Sequence, residues 1–222
     1  MGPLATLDFV AKVLAATAAR RDQEHVPLIV HQVPQIPDRS SAILASSDAP
    51  LRPMLRGLKR LARAGARLAV IPCNSAHHWY GQLAAQQPLE ILHIVDAVGQ
   101  ELAASGVAHA RLAVMATRGT ARSGIYPDRL GRRFGPLHAI DESTQRLIDS
   151  SIGAVKGGEL AHARARAQSA ALRLISQGAT VLVLACTELP VALQGLSLQA
   201  HVVDSTLALA RMCVRRSGMA SK

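Results

Sequence analysis

An α/β fold of two pseudo-symmetric lobes, each a parallel sheet flanked by helices, is what this sequence predicts. Three observations carry the prediction. Short Val/Ile/Leu/Ala runs alternate with longer segments of helical period, as in chains that build parallel sheets. A stretch of the first half recurs in the second. No apolar run approaches the roughly 20 residues of a membrane span, and the N-terminus lacks a basic-then-apolar leader pattern.

Taken in chain order, the periodic segment 6–19 reads as a helix and 27–33 (PLIVHQV) as a strand. Helix 51–64 sets Leu51, Leu55, Leu58 and Leu61 against Arg52, Arg56, Lys59, Arg60 and Arg63, with Arg67 at the same spacing just beyond it, an apolar stripe with a charged face. Strand 67–72 (RLAVIP), helix 76–86, strand 91–95 (ILHIV) and helix 97–105 follow. The second half repeats the alternation with strand 111–115 (RLAVM), helices 142–155 and 159–177, strand 180–185 (TVLVLA), strand 200–203 (AHVV) and helix 205–216. Residues 136–140 (PLHAI) are a weaker strand candidate.

The repeat is the sharpest signal. LKRLARAGARLAVIPCNSA overlays ALRLISQGATVLVLACTEL with Gly65 on Gly178 and Cys73 on Cys186, eight residues from glycine to cysteine in both copies. Each copy reads as a helix closed by a glycine, then a strand, then a cysteine followed by polar residues. HIVDAV and HVVDST also correspond, which makes Asp96 and Asp204 the expected N-caps of the next helices. A third match, MGPLAT with MATRGT, has the strand RLAV ahead of its second copy and nothing ahead of its first. The first strand of lobe one is therefore expected to be missing, and about 5–10 further residues are expected before Met1. The lobes are expected to comprise 1–97 with 203–222, and 98–202, with a site in the cleft between them at the carboxyl ends of the strands.

Composition narrows the function. The chain has 222 residues, 49% of them hydrophobic, enough to bury a sizeable core in one large or two small units. A soluble, cytoplasmic protein is expected, with no membrane partner. Three unpaired-looking cysteines do not make a disulfide framework, and Cys73 with His77 and His78 is at most a partial metal set, so no metal is expected. The formal charge of +10 raises nucleic acid as a partner. The basic residues are scattered, however, and aromatics are only 2% of the chain, too few for base-stacking platforms. No nucleic-acid partner is expected.

A cysteine between a strand and a helix sits near the positive end of the helix dipole, which favours the thiolate. Asn74 and Ser75 put polar groups around Cys73, and Thr187 and Glu188 do so around Cys186. A thiolate on one side of a cleft and a thiol on the other form a base and acid pair. Such a pair can take a proton from one face of a carbon and return one to the opposite face, giving the mirror image. A small buried hydrophobe is the ordinary alternative for a single free cysteine, but matched placement in two copies argues for chemistry. Cys213, in the amphipathic stretch LALARMCVRR, has no counterpart and reads as packing.

The motifs MGPLAT, PQIPDR, PCNSAH, GT followed by SGIY, and ACTEL together resemble the aspartate/glutamate racemase superfamily, over essentially the whole chain and most like its aspartate racemase branch. The resemblance implies a cofactor-independent amino-acid racemase interconverting L- and D-aspartate, with Cys73 and Cys186 catalytic, no cofactor, an amino-acid substrate and a homodimer. It implies that Arg39 holds a substrate carboxylate, which suits a bidentate guanidinium, and that Lys156 binds substrate. A surface-loop arginine, and a lysine complementing a helix C-terminus, are the plain alternatives. Asn74, Ser75 and Thr187 are expected to hydrogen-bond the amino and carboxylate groups, with Thr120 a further candidate and the Met1–Gly2 loop lining the site. A pyridoxal Schiff base at Lys156 would leave the two thiols redundant and finds no phosphate loop. His77 and His78 are expected on the helix surface or in packing, and Trp79 and Tyr80 in core or dimer packing. Alternatives are a glutamate or broad-specificity racemase, a same-fold dicarboxylate isomerase or decarboxylase, and a basic binding protein without activity.

Overall fold

A computed structural model describes residues 2–107 and 110–221. Helices α1 (Pro3–Ala16), α2 (Arg39–Leu44) and α3 (Leu51–Arg63) precede strand β1 (Leu68–Ala69). A 3₁₀ turn over Asn74–Trp79 runs into α4 (Tyr80–Ala85), followed by β2 (Glu90–Ile91) and α5 (Ile94–Ala104). Next come β3 (Leu112–Ala116), α6 (Arg118–Arg122), α7 (Ile125–Phe134), α8 (Glu142–Lys156) and α9 (Leu160–Ser176). The chain closes with β4 (Val181–Ala185), α10 (Leu189–Ala192), β5 (His201–Asp204) and α11 (Ser205–Ser217). Among the described residues there are two parallel sheets, β1-β2 and β3-β4-β5. This is the α/β architecture expected, with helices flanking both sheets.

The repeat is a structural one. Gly65 and Gly178 both hold left-handed backbone, φ +92° and +96°, just past α3 and α9. Each closes its helix in the same way. Gly65 N–H donates to Ala62 and Ala66 N–H to Leu61, while Gly178 N–H donates to Ile175 and Ala179 N–H to Leu174. These paired bonds satisfy carbonyls that would otherwise be orphaned at the helix end and turn the chain into β1 and β4.

The three-stranded sheet is buried on both faces, which explains its unbroken apolar runs. Leu112, Ala116, Val181, Val183 and Ala185 pack with α1, α5, α7 and α11. Ala113, Met115, Leu182, Leu184 and Cys186 pack with α8 and α9. A third cluster joins β1 and β2 to α2, α3, Trp79 and Leu83. Cys213 is 4% exposed in the first cluster, a packing residue whose thiol burial pushes up. Trp79 is buried and its indole N–H donates to Asp48 at 2.6 Å.

Several expected elements differ. Residues 27–33 form no strand and pair with none among the described residues, and Leu28, Ile29 and Val30 are exposed. Residues 136–140 form no strand, although His138 N–H donates to Leu112 beside β3. Strand 91–95 gives way after Ile91, and α5 starts at Ile94. Its N-cap is therefore His93, whose Nδ1 accepts from Val95 N–H, and not Asp96. Asp96 lies in the first turn and pairs with Arg129 at 2.7 Å. Asp204 does cap α11, accepting from Thr206 and Leu207. Imidazole nitrogen can do the work of a carboxylate oxygen at a cap, and sequence correspondence alone does not reveal the exchange. Segment 76–86 is a 3₁₀ turn before it is a helix. Helices α2, α6, α7 and α10 were not foreseen.

His77 and His93 form a buried ring pair, centroids 4.6 Å apart. Nε2 of His77 lies 3.0 Å from the Ile71 carbonyl, which can only accept, so the proton sits on Nε2 and the ring is neutral. Burial pushes His77 down to about 4, against the pull of that carbonyl. The unfolded chain thus binds a proton at higher pH than the folded one. Stability from this ring is complete above the ordinary pKa of about 6.5 and is lost as pH falls toward 4. Unfolding by denaturant at pH 7 and pH 4.5 should show a loss on the order of 2–3 kcal/mol attributable to this ring. The loss should shrink in His77→Gln.

Candidate active site

One cavity of about 460 Å³ opens where the carboxyl ends of both sheets meet, a size usual for small-ligand sites. Cys73 reaches it from just past β1 and Cys186 from the residue after β4. Arg39, Asn74, Ser75, Lys156 and Thr187 also line it. Of the expected site residues, seven therefore converge on one space. Thr120 stands one layer behind, 2% exposed, with its hydroxyl 2.7 Å from that of Ser75. Met1 lies outside the described residues; its neighbour Gly2 lines the cavity.

Cys73 is the N-cap residue of the 3₁₀ turn and is half-buried. The two residues after it are locked into the protein. Asn74 donates through Nδ2 to Ser205 Oγ at 3.0 Å and accepts from the Tyr126 hydroxyl at 2.7 Å. Ser205 in turn donates to the Leu184 carbonyl at 2.7 Å. This buried chain ties the end of β1 to the end of β4, and so ties one cysteine-bearing turn to the other. Burial raises the Tyr126 phenol, which keeps it a donor. Ser75 sits in a hydroxyl cluster with Thr117 at 3.2 Å and Thr120 at 2.7 Å. Both side chains expected to bind substrate thus have protein partners that fix their orientation first.

Cys186 is buried, and its Sγ donates to Glu188 Oε2 at 3.0 Å. The same oxygen accepts from Thr187 Oγ1 at 2.9 Å. Burial raises the thiol well above its ordinary value, and the Glu188 charge adds to the rise. This reverses, for Cys186, the lowered pKa expected from the helix dipole. The following helix is only four residues long, and desolvation together with a carboxylate at hydrogen-bond distance outweighs it. Replacing Glu188 by Gln should lower the thiol pKa, because the neutral amide no longer repels a thiolate. If Cys186 must be protonated to act, the alkaline limb of the kcat/KM profile should move to lower pH, measured between pH 7 and 11.

The charged rim comes from α2 and the end of α8. Arg39 Nη1 donates to the Ile36 and Pro37 carbonyls at 3.0 Å each, while its buried Nε has no protein partner. Lys156, in the last turn of α8, is exposed and forms no ion pair among the described residues. Asp38 caps α2 by accepting from Ser41 N–H at 2.8 Å and also lines the cavity. Burial would raise its carboxyl, but hydrogen bonding from the Ser41 backbone and side chain and the charges of Lys156 and Arg39 lower it overall. Asp38 and Thr117 were missed in the sequence. DRSS, an acid three residues ahead of a serine at the start of an apolar turn, and TRGT were their capping signatures. His77 is buried away from the cavity lining and His78 is exposed, so neither reaches the thiols. Among the described residues, no three His, Cys, Asp or Glu side chains gather as a metal site.

Two thiols thus line one cavity at the carboxyl ends of parallel strands, among charged and hydroxyl side chains, in an α/β fold. The chain belongs to the Asp/Glu/Hydantoin racemase family, whose model matches residues 1–213. It is 26% identical to the broad specificity amino-acid racemase RacX of Bacillus subtilis (strain 168), over 96% of this chain and 93% of that protein. The Picrophilus torridus aspartate racemase superposes with a TM-score of 0.88 at 29% identity, covering 100% of this chain and 92% of that one. The glutamate racemase RacE1 of Bacillus anthracis shares the fold at a TM-score of 0.65 and 16% identity, covering 98% of this chain and 80% of that one. No helix among the described residues is long and apolar enough to cross a membrane.

Proposed function

We propose that this racemase-family isomerase interconverts L- and D-aspartate by proton transfer between two cysteines. The observation that carries the reading is that Cys73 and Cys186 line a single cavity, one from each sheet. Cys186 rests as a thiol hydrogen-bonded to Glu188, so in that state it is the acid. Cys73 is then the base. Its thiolate removes the α-proton from one face, and the Cys186 S–H protonates the opposite face. The product is the mirror image, with the proton inventory of the two sulfurs exchanged. The return reaction starts from that exchanged state.

The Arg39 guanidinium, with its unpartnered Nε, holds a substrate carboxylate, and Lys156 supplies a second cation for a substrate with two. Asp38 and Glu188 offer negative charge to the α-ammonium. Aspartate specificity is supported by this pair of cations and by the resemblance to the Picrophilus torridus aspartate racemase. A broader substrate range is the second reading, favoured by the exposure of Lys156 and by the likeness to a broad specificity racemase. A homodimer without cofactor completes the proposal.

The test is L-aspartate in heavy water, followed by NMR of the α-proton and chiral chromatography. D-aspartate carrying solvent deuterium is the expected product. Absence of both exchange and inversion for aspartate, with turnover of glutamate or neutral amino acids, would transfer the assignment to the second reading. Arg39→Ala should raise KM by roughly 10- to 100-fold, the value of a lost charge-assisted hydrogen bond. Unchanged KM and kcat would remove its role.

A further inference from the structure

We propose that His77 is the positioning residue for Cys73: its ring N–H anchors the Ile71 carbonyl, and through that carbonyl the turn that presents the Cys73 thiol to the cavity. The role rests on the two-cysteine reaction proposed above.

The two thiols are carried differently, although the repeat matches their places. Ala185, the last residue of β4, pairs with Ala116 of β3, and Cys186 follows it directly. The sheet ladder therefore fixes the backbone up to that thiol. β1 ends at Ala69, and among the described residues its last backbone bond on the β2 side runs from Leu92 N–H to the Ala69 carbonyl at 3.1 Å. Val70, Ile71 and Pro72 separate that bond from Cys73.

Ile71 holds the thiol's backbone instead. Its carbonyl accepts the Cys73 N–H at 2.7 Å across Pro72, a three-residue turn that suits the fixed φ of proline. Nε2 of His77 lies 3.0 Å from the same oxygen. A carbonyl has two lone pairs, and these two donors fill both. The ring thus ties the far side of the turn back to its start and closes the segment carrying Cys73 into a loop. It is 2% exposed and packs between Tyr80 and His93, with ring centroids 6.2 Å and 4.6 Å away. Overlaying Cys73 on Cys186 sets His77 opposite Pro190, which has no N–H to give. The ring donor is present in the copy whose ladder stops short and absent from the copy whose ladder reaches the thiol.

The experiment compares His77→Leu and His77→Met, which fill the space without a donor, with His77→Gln, whose amide N–H stands in for the ring Nε2–H. Aspartate is the substrate, or whichever amino acid the intact chain turns over fastest. Leu and Met should lower kcat by about 10- to 100-fold with KM little changed, the cost of a reacting atom displaced by about 1 Å, and Gln should recover most of the loss. The loss should fall on one proton transfer. With α-deuterated substrate, the isotope effect should rise for the enantiomer whose α-hydrogen Cys73 removes and fall for its mirror image. Partial unfolding would scale kcat and leave both isotope effects alone, and that result would overturn the proposal. Exchange of the Cys73 amide, read by NMR, needs no turnover. It should quicken by about tenfold or more in the Leu and Met variants and not in Gln. Unchanged exchange in a folded Leu or Met variant would overturn the proposal whether or not the chain racemises aspartate. In the intact chain, nitrogen NMR of the imidazole should find the proton on Nε2, and a proton on Nδ1 would overturn the proposal without any variant. Absence of all racemisation by the intact chain, with the amide result as expected, would instead overturn the two-cysteine reaction.

Discussion

Replacing either Cys73 or Cys186 by alanine is expected to lower racemisation of aspartate by about 10³-fold or more, the loss of one general acid or base. The two variants should fail in complementary ways. With Cys186 gone, Cys73 can still take the α-proton of one enantiomer and return solvent deuterium to the same face. That enantiomer then exchanges without inverting. With Cys73 gone, the other enantiomer should do so. Chiral separation followed by mass spectrometry of each pool reads both results. Normal turnover in either variant would end the two-base mechanism. Because Cys186 is 8% exposed and packs on α8 and α9, its removal also opens a small void. Cys186→Ser keeps the volume while raising the proton affinity of the anion, and it separates lost chemistry from lost packing.

The second large effect concerns Gly119, in the first turn of α6. Its backbone N–H donates to Ser40 Oγ at 2.9 Å. A Cβ at this position would stand 2.5 Å from Ser40 Cα, 2.6 Å from its Oγ and 2.7 Å from its carbonyl oxygen. Backbone atoms cannot rotate aside, so Gly119→Ala must push α2 away from α6. Overpacking of this kind costs about 1–3 kcal/mol. Arg39 precedes Ser40 and would move with it, so KM for aspartate should rise by about tenfold or more, as expected when a charged contact worth about 1.5 kcal/mol is lost. Ser40→Ala should not rescue the variant, because two of the three close atoms are backbone. Rescue would show that the hydroxyl alone makes the contact. Steady-state kinetics and thermal unfolding of the single and double variants decide between these outcomes.

What was legible in the sequence was mostly what is local. A helix closed by glycine, a short apolar strand and a cysteine are all written within nine residues, so the pairing of Gly65–Cys73 with Gly178–Cys186 could be seen before any coordinates. Both cysteines reach one cavity because the carboxyl ends of the two separate sheets meet there. The failures have physical causes. Residues 27–33 have strand composition, but a strand exists only with a partner, and none pairs with them among the described residues. Helix α2 spans six residues after a proline-rich loop, too short for a period to register. α7 begins IYP, with proline at the third helical position, where its missing N–H does no harm. The sign of the Cys186 shift depended on burial and on where Glu188 points, and neither is readable from spacing. Asp96 matched Asp204 by letter, yet the helix began three residues earlier.

The chain of bonds from Tyr126 through Asn74 and Ser205 to the Leu184 carbonyl has a further consequence. Its terminus can only accept, so every donor upstream is committed to one direction. An amide in the middle does not pass protons along. The chain is thus an insulating brace between the two sulfur-bearing turns and no conduit. On the proposed mechanism, hydrogen exchanged at either sulfur does not travel along this chain, and the isotope found in product should follow how long the mouth of the cavity stays open to water.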